Sequence, residues 1–110
     1  MSQKTVLKIA GDYVLAVKQH GIPVSAAYLF GSYARKNPHL GSDIDVCIIS
    51  PTLGNDLIDE MMMLGRITLE VDLRIEPHPM SPADFAEKYN LLAHEIKTYG
   101  IPLVTTHDHL

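Results

Sequence analysis

The sequence predicts a small α/β (α+β) domain in which helices pack on one face of a mixed β-sheet. The chain has 110 residues, of which 46% are hydrophobic. A chain of this size fits one core that buries roughly two-thirds of the unfolded surface. Apolar residues recur at three- and four-residue steps in some segments and at alternate positions in others, which indicates helices and half-buried strands respectively. We therefore expect a single domain over residues 1–104, followed by a disordered tail over residues 105–110.

The first half of the chain predicts one helix and two strands. Residues 5–20 carry a single apolar stripe at helical spacing, and Gly21 and Pro23 end that helix. Residues 24–30 form a short β-prone run that stops at Gly31 and Ser32, so we expect a buried strand entering a tight turn. A loop over residues 36–42 precedes a second strand over residues 43–49.

The second half predicts a helix, a strand and further helical segments. Residues 56–67 form a helix whose apolar surface is wider than one stripe, and residues 70–76 alternate apolar and charged positions as a third strand does. His78 and Pro79 are interpreted as a break. Ser81 and Pro82 open helical stretches over residues 83–99, interrupted near Asn90.

Composition disfavours several classes of function. The net charge is −4 and no polybasic run occurs, so broad nucleic-acid binding is not expected. Cys47 is the only cysteine, which excludes an internal disulfide or a multi-cysteine zinc site and fits a reducing cytoplasm. No apolar run of membrane-spanning length is present, and we expect a cytoplasmic protein without membrane contacts.

Asp43 and Asp45 form the first part of a candidate site. Side chains alternate along a strand, so both carboxylates project from one face. Two carboxylates on one face repel each other unless a cation lies between them. Mg²⁺ prefers hard oxygen ligands and often shares its coordination shell with substrate phosphates. The alternative is a solvated strand face that carries two acids.

Two further features extend this acidic pair. Gly31 and Ser32 stand at a turn where backbone N–H groups can approach a phosphate, although most such pairs are ordinary turns. Asp72 lies within the third predicted strand and can stand beside Asp43 and Asp45 if the strands are neighbours. Three carboxylates can hold two divalent ions about 4 Å apart and leave one carboxylate to accept a proton. The implied reaction is in-line attack on the α-phosphate of a nucleoside triphosphate, with pyrophosphate leaving.

The motifs GSYARKNPHLGSDID and VDLRIE resemble those of the DNA polymerase beta nucleotidyltransferase superfamily, and within it the minimal nucleotidyltransferases, or MNT proteins. The resemblance spans residues 29–76 and implies a polymerase beta palm-like nucleotidyltransferase fold. One position departs from the pattern, because Lys36 stands where the family often has glycine. That departure affects the loop geometry but no proposed metal ligand.

The resemblance also implies roles for individual residues. Asp43, Asp45 and Asp72 would be the catalytic residues that bind two Mg²⁺ ions, with Asp72 also acting as the base. The residues that would bind the ATP or other NTP are Gly31, Ser32, Arg35 and Ser42. MNT proteins are often antitoxins that transfer AMP to a tyrosine of a HEPN-domain ribonuclease toxin, so the resemblance implies a protein adenylyltransferase with a HEPN-domain partner.

Several alternatives stay open at this stage. A binding module could neutralise its partner by steric capture through the helix that carries Met61, Met62 and Met63, and the same helix could form a homo-oligomer. These methionines could instead fill an uneven core. A structural metal or nucleotide sensor is a third possibility. Cys47 is interpreted as a packed residue, and Arg74 either forms a salt bridge or contacts a phosphate.

Overall fold

The structure, a computed structural model, describes residues 1–103 of the chain. The predicted tail over residues 105–110 lies outside the described residues. The elements in chain order are helix α1 (Gln3–Gln19), strand β1 (Ala26–Phe30), strand β2 (Ile44–Ile49), helix α2 (Leu57–Thr68), strand β3 (Ile75–Met80), helix α3 (Pro82–Ala86), helix α4 (Leu91–Tyr99) and the short strand β4 (Ile101–Pro102).

The strands form one mixed sheet in the order β3-β2-β1-β4. Strand β1 is antiparallel to both β2 and β4, whereas β2 and β3 are parallel. This sheet confirms the predicted fold class. Because β3 stands at one end of the order, its outer edge has no neighbouring strand among the described residues. Strand β3 therefore pairs only with β2 among the described strands, and the register of that pair fixes which residues lie opposite one another.

The two faces of the sheet carry different layers. Helices α1 and α2 pack on one face, where fully buried residues such as Val14, Val46 and Leu64 form the larger core. The sequence prediction placed helices on one face only. The structure adds the short helices α3 and α4 on the opposite face, where Ala93 and Ile96 pack with residues of β1, β2 and β3. The candidate site lies on this second face, so the solvent exposure of its side chains depends on how much of that face α3 and α4 cover.

The helices begin where the sequence signals indicate. The side chains of Ser2, Asp56, Ser81 and Asn90 each accept a hydrogen bond from a backbone N–H in the first turn of α1, α2, α3 and α4 respectively. Such caps satisfy donors that have no partner inside the helix. The predicted interruption near Asn90 is confirmed as the boundary between α3 and α4. Among the described residues, no helix combines the length and the apolar character that crossing a bilayer requires.

The third strand was predicted in the wrong place. Residues 70–74 form the turn region that follows α2, only residues 75 and 76 belong to β3, and Leu73, expected to point inward, is 73% exposed. The actual strand includes His78 and Pro79, which were interpreted as a break. The carbonyl groups of Arg74 and Met80 accept hydrogen bonds from the backbone N–H groups of Ile44 and Ser50, so residues at even positions of β3 direct their backbone polar groups toward β2. The backbone nitrogens of Pro77 and Pro79 then face the open edge of the sheet. Proline is tolerated there, because no strand in the described part of the chain needs the N–H group that proline lacks.

The methionines of α2 have different environments. Met63 packs against the larger core, whereas Met61 and Met62 are exposed at 40% and 58% together with Leu57 and Ile58. Of the two alternatives, core filling therefore applies to Met63 and surface exposure to the other two. Whether this exposed apolar face contacts a partner or a second copy stays a prediction.

Candidate functional site

The candidate site is formed where β2 and β3 run side by side. The parallel register places Asp45 opposite Glu76 and Cys47 opposite His78. Since side chains alternate along a strand, all four residues project from the face that α3 and α4 partly cover. Asp45 also pairs with Phe30 of β1. The site thus crosses three strands, and no single segment of the chain contains it.

His78 lies between the two carboxylates. Its Nε2 atom is 3.4 Å from Oδ1 of Asp45 and 3.3 Å from Oε1 of Glu76. The side chains of Asp45 and His78 are 21% and 24% exposed, whereas that of Glu76 is 51% exposed. The cluster is therefore partly sheltered on the Asp45 side and open to solvent at Glu76.

The backbone of Gly31 lies directly against the carboxylate of Asp45. Its φ angle is +76°, a backbone conformation that L-residues with a side chain adopt at a cost. A Cβ atom built on Gly31 would collide with Oδ2 of Asp45 and would lie 3.1 Å from its Cγ. The turn after β1 therefore brings the backbone directly against a proposed metal ligand.

Asp72 is not where the sequence analysis expected it. It precedes β3, and its carboxylate accepts two hydrogen bonds from the side chain of Arg74, at 2.9 and 2.6 Å. These hydrogen bonds from Arg74 lower the pKa of Asp72, against the opposing effect of burial. Among the described residues, Asp72 belongs to no cluster of three potential metal-binding side chains. The premise that Asp72 stands on a strand beside Asp45 was wrong, because the strand begins three residues later.

Asp43 stands directly before β2 and is exposed. It precedes Asp45 by two positions, so the alternation of the strand directs both residues to the same side. The backbone N–H of the next residue, Ile44, donates to the carbonyl of Arg74. This bond extends the parallel pairing to the start of β2 and positions the Asp43 segment at the end of the sheet.

The predicted nucleotide-binding residues lie between β1 and β2. Gly31, Ser32 and Arg35 follow β1, and Ser42 lies in the loop before β2. Ser32 begins a series of turns after Gly31 and is half-buried. The guanidinium of Arg35 lies over the ring of Tyr99, 4.3 Å from its centroid. Ser42 is buried, and its hydroxyl accepts a hydrogen bond from the backbone N–H of His39 at 2.8 Å. These contacts organise the loops, and the roles of the residues in binding a nucleotide stay predictions.

An open pocket of about 420 Å³ lies along the second loop. Tyr33, Ser42 and Arg74 line it together with residues 38–41 and Met1, while the Asp45–Glu76–His78 cluster does not. Arg74 also forms a salt bridge, one of its two predicted alternatives, and its partner is Asp72. The pocket ends next to Asp43, which follows Ser42 in the chain.

Cys47 shares the face of the site but is not available for chemistry. It is fully buried between Phe30, Ile49 and Met80 in the smaller core. Burial raises the pKa of its thiol to about 12, so the thiolate that reacts or binds metals is not populated near neutral pH. This environment agrees with the interpretation of Cys47 as a packed residue.

The donor atoms present fit a divalent cation. One carboxylate oxygen each from Asp45 and Glu76 and one ring nitrogen of His78 lie within 4.8 Å of one another. Ligands about 2.1 Å from a single octahedral ion are separated by roughly 3 to 4 Å, so small side-chain adjustments suffice for all three to reach one ion. The three side chains therefore form a candidate site for one divalent cation.

Sequence reasoning missed Glu76 and His78 as site residues. Glu76 was counted in the charged row of a strand that ended there, and His78 was assigned to a break. The signal that could have found them is the alternation in IEPHPM, where both prolines occupy one set of positions and the polar residues occupy the other. That spacing is compatible with an edge strand whose polar face continues from Glu76 to His78.

Comparison with protein families places the chain next to known nucleotidyltransferases. Residues 13–98 match a family model described as the nucleotidyltransferase domain. No curated protein sequence matches the chain. A candidate nucleotidyltransferase from Sulfolobus solfataricus has a similar solved structure, with 24% identity and a TM-score of 0.61 over 74% of this chain and 72% of that one.

Two other solved structures are toxin–antitoxin systems. One, a toxin–antitoxin with AMP-PNP, has 22% identity and a TM-score of 0.57 over 89% of this chain and 76% of that one. The other is a mutant of the toxin–antitoxin MntA-HpeT, with 17% identity and a TM-score of 0.55 over 98% of this chain and 77% of that one. At these identities the similarity establishes the fold alone, and it confirms the fold that the motifs predicted.

Proposed function

The chain belongs to the nucleotidyltransferase domain family, and on that premise we propose that it transfers AMP from ATP to a hydroxyl group of a protein partner, with divalent cations such as Mg²⁺ as cofactor. One observation carries the proposal. The carboxylates of Asp45 and Glu76 stand side by side, and the backbone of Gly31 lies against Asp45. The candidate cation site and the turn proposed to bind phosphate are therefore in contact, which supports the proposal.

Asp43, Asp45 and Glu76 hold the cations in this proposal. A bound Mg²⁺ supplies charge neutralisation and Lewis acidity for phosphoryl chemistry. Glu76 is the more exposed of the two clustered carboxylates, so an incoming hydroxyl group reaches it more easily than Asp45. We therefore assign Glu76 to accept the proton of the acceptor, the role that the sequence analysis assigned to Asp72.

The turn residues bind and orient the triphosphate. The backbone at Gly31 and the hydroxyl of Ser32 provide hydrogen-bond donors, while Arg35, held over the ring of Tyr99, contributes a positive charge. The hydroxyl of Ser42 lies at the other loop. In the reaction, the acceptor oxygen forms a bond to the α-phosphorus, the bond to the bridging oxygen breaks, pyrophosphate leaves and Glu76 takes the proton.

The partner in this proposal is a HEPN-domain toxin, and the chain acts as its antitoxin. The MNT-type motifs and two toxin–antitoxin structures with the same fold support this assignment. The half-exposed position of Glu76 supports a large acceptor that docks against the surface, because a small acceptor would need a more enclosed pocket to bind. A reducing cytoplasm is the proposed location, consistent with the buried free thiol of Cys47.

The test combines the full chain, Mg²⁺, α-labelled ATP and the HEPN-domain product of the adjacent reading frame. We expect label on the partner, lost in Asp45→Asn and Glu76→Gln but retained in Asp72→Asn. The Asp72 variant is the matched control, since it removes one carboxylate charge outside the cluster. Transfer that survives Glu76→Gln but disappears in Asp72→Asn would restore the original assignment of the base. No label with the wild-type protein would refute the proposed activity.

Steric capture of the partner is the second candidate, and the exposed apolar residues of α2 favour it. Leu57, Ile58, Met61 and Met62 form this surface. If capture alone operates, the complex forms without label in any variant, and Met62→Lys weakens it while Asp45→Asn does not. If transfer operates, Asp45→Asn abolishes labelling whether or not the complex persists.

A further inference from the structure

His78 is the one member of the cluster that the family motifs and the proposed reaction do not use. It extends from β3 beside Cys47 of the neighbouring strand. Its ring meets that of Phe30 edge-on, with 4.9 Å between the ring centroids. Packing against a buried aromatic ring limits the orientations that the imidazole can take. This packing therefore holds the ring with one nitrogen facing the carboxylates. A surface histidine that rotates freely would not keep that orientation.

That nitrogen lies close enough to both carboxylates to share one ion with them. Nε2 is 3.4 Å from Oδ1 of Asp45 and 3.3 Å from Oε1 of Glu76, which are separations that two ligands of one octahedral ion show. The three donor atoms come from two adjacent strands, so their spacing follows from the sheet and not from flexible loops. An ion bound by these residues would have two oxygen ligands and one nitrogen ligand on one side.

We infer that His78 is a direct metal ligand that shifts the preference of this site from Mg²⁺ toward Mn²⁺. Mg²⁺ favours oxygen ligands and keeps much of its water, whereas imidazole nitrogen suits transition metals, and affinity for a mixed site increases from Mn²⁺ along the first transition series. A purely carboxylate site would hold Mg²⁺ and Mn²⁺ more equally. The inference rests on the proposed divalent-cation site, and it adds the residue that selects the ion.

Metal binding tests this inference without any transfer reaction. Electron paramagnetic resonance of the full-length protein with Mn²⁺ measures the affinity, and competition with Mg²⁺ gives the ratio of the two affinities. Pulsed measurements on bound Mn²⁺ detect coupling to a ¹⁴N nucleus only when a nitrogen ligand is present. His78→Phe preserves a ring against Phe30 and removes the donor, and His78→Gln replaces the nitrogen by an amide oxygen.

We expect ¹⁴N coupling in the wild-type protein and none in either variant at position 78. The Mn²⁺/Mg²⁺ affinity ratio should decrease at least about tenfold in His78→Phe, since loss of even an outer-shell partner commonly weakens binding that much. His78→Gln should reduce the ratio while retaining more Mg²⁺ affinity than the phenylalanine variant. Two controls test binding by other histidines, namely His94→Gln and the double variant His107→Gln/His109→Gln. Both should leave the ¹⁴N coupling and the affinity ratio unchanged.

Coupling that persists in both His78 variants, or an unchanged affinity ratio, overturns the inference. Absence of Mn²⁺ binding to the wild-type protein overturns it as well. Failure of this inference can be distinguished from failure of the proposed function. If the transfer assay is positive with Mg²⁺ while the Mn²⁺/Mg²⁺ affinity ratio does not depend on His78, only this inference is refuted. Conversely, ¹⁴N coupling that depends on His78 in a protein that labels no partner supports the ligand and refutes only the reaction.

Discussion

Replacing Gly31 by alanine tests whether the turn after β1 is built around Asp45. The substitution adds one methyl group at a residue whose φ angle is +76°. It also places that methyl group against the Asp45 carboxylate, inside contact distance of Oδ2 and 3.1 Å from Cγ. Two separable costs follow, one in the backbone and one in the position of a proposed metal ligand.

The backbone cost is modest and can be estimated. A left-handed conformation costs an L-residue about 1–2 kcal/mol, and replacing glycine recovers about 0.4–1 kcal/mol by restricting the unfolded chain. The net loss in the free energy of unfolding is roughly 1 kcal/mol, which lowers the melting temperature of a domain this small by about 4–8 °C. If Asp45 does not move, overpacking adds about 1–3 kcal/mol. If it rotates away, stability is spared and the cation site is distorted.

Gly21→Ala provides a matched control. Gly21 has a φ angle of +87°, and a Cβ atom there would meet nothing within 4 Å. It therefore carries the backbone cost without the collision. Chemical denaturation of both variants measures stability, and Mn²⁺ titration measures the site. We expect Gly31→Ala to lose Mn²⁺ affinity by at least about tenfold, as when the support of a metal ligand is removed, while Gly21→Ala binds Mn²⁺ as the wild type does.

The reasoning is refuted if the two variants bind Mn²⁺ equally and are equally stable. That result would mean that the contact between Gly31 and Asp45 constrains neither the fold nor the site. A large stability loss in Gly31→Ala with normal Mn²⁺ binding would show that Asp45 keeps its position and that the strain is absorbed elsewhere in the turn.

Three further substitutions test contacts elsewhere in the fold. The carboxylate of Glu60 is buried and accepts hydrogen bonds from three backbone N–H groups at 2.8 to 3.1 Å, so Glu60→Gln should cost roughly 1–3 kcal/mol in denaturation experiments at neutral pH. Burial raises the pKa of Glu60, but the three hydrogen bonds lower it and prevail. The wild-type advantage should therefore be complete above the unfolded pKa of about 4.3 and disappear as the pH falls through the lower folded value; a difference that is constant with pH would contradict this. Lys36 has a φ angle of +59°, so Lys36→Gly should raise the free energy of unfolding by up to about 1 kcal/mol, and a decrease would show that the lysine side chain makes a compensating contact. The hydroxyl of Tyr13, fully buried, donates to the carbonyl of Leu64 at 2.7 Å, and Tyr13→Phe should lower the melting temperature through a loss of about 0.5–1.5 kcal/mol; no change would mean that water or another donor replaces the bond.

Local patterns predicted most of the elements. Helix α1 and strands β1 and β2 were found within two residues of their predicted ends, because each has a single apolar period and a clear break after it. The cap at Ser81 was also predicted, since capping depends on residues three positions apart, whereas Asn90 was predicted as an interruption of the helical stretch and not as a cap. The positive φ angle of Lys36 agrees with the glycine usual at that position in the resembling family.

The error in β3 shows where local patterns fail. Residues 70–76 alternate apolar and charged side chains, yet the turn region that follows α2 occupies residues 70–74 of this segment. The prolines at positions 77 and 79 argued against a strand. They are tolerated because β3 has an open outer edge, and edge position is a property of the whole sheet that no local window contains.

By itself the sequence determined that Asp43 and Asp45 share a face and that Gly31 ends the strand before them, because both facts follow from a period of two residues and from the conformational freedom of glycine. Only the tertiary structure decided which acid joins Asp45. The register between two strands depends on helix α2 returning the chain parallel to β2, and a shift of one residue would turn Glu76 and His78 to the other face. Which carboxylate lies beside Asp45 was therefore a question of long-range packing, which composition and periodicity do not encode.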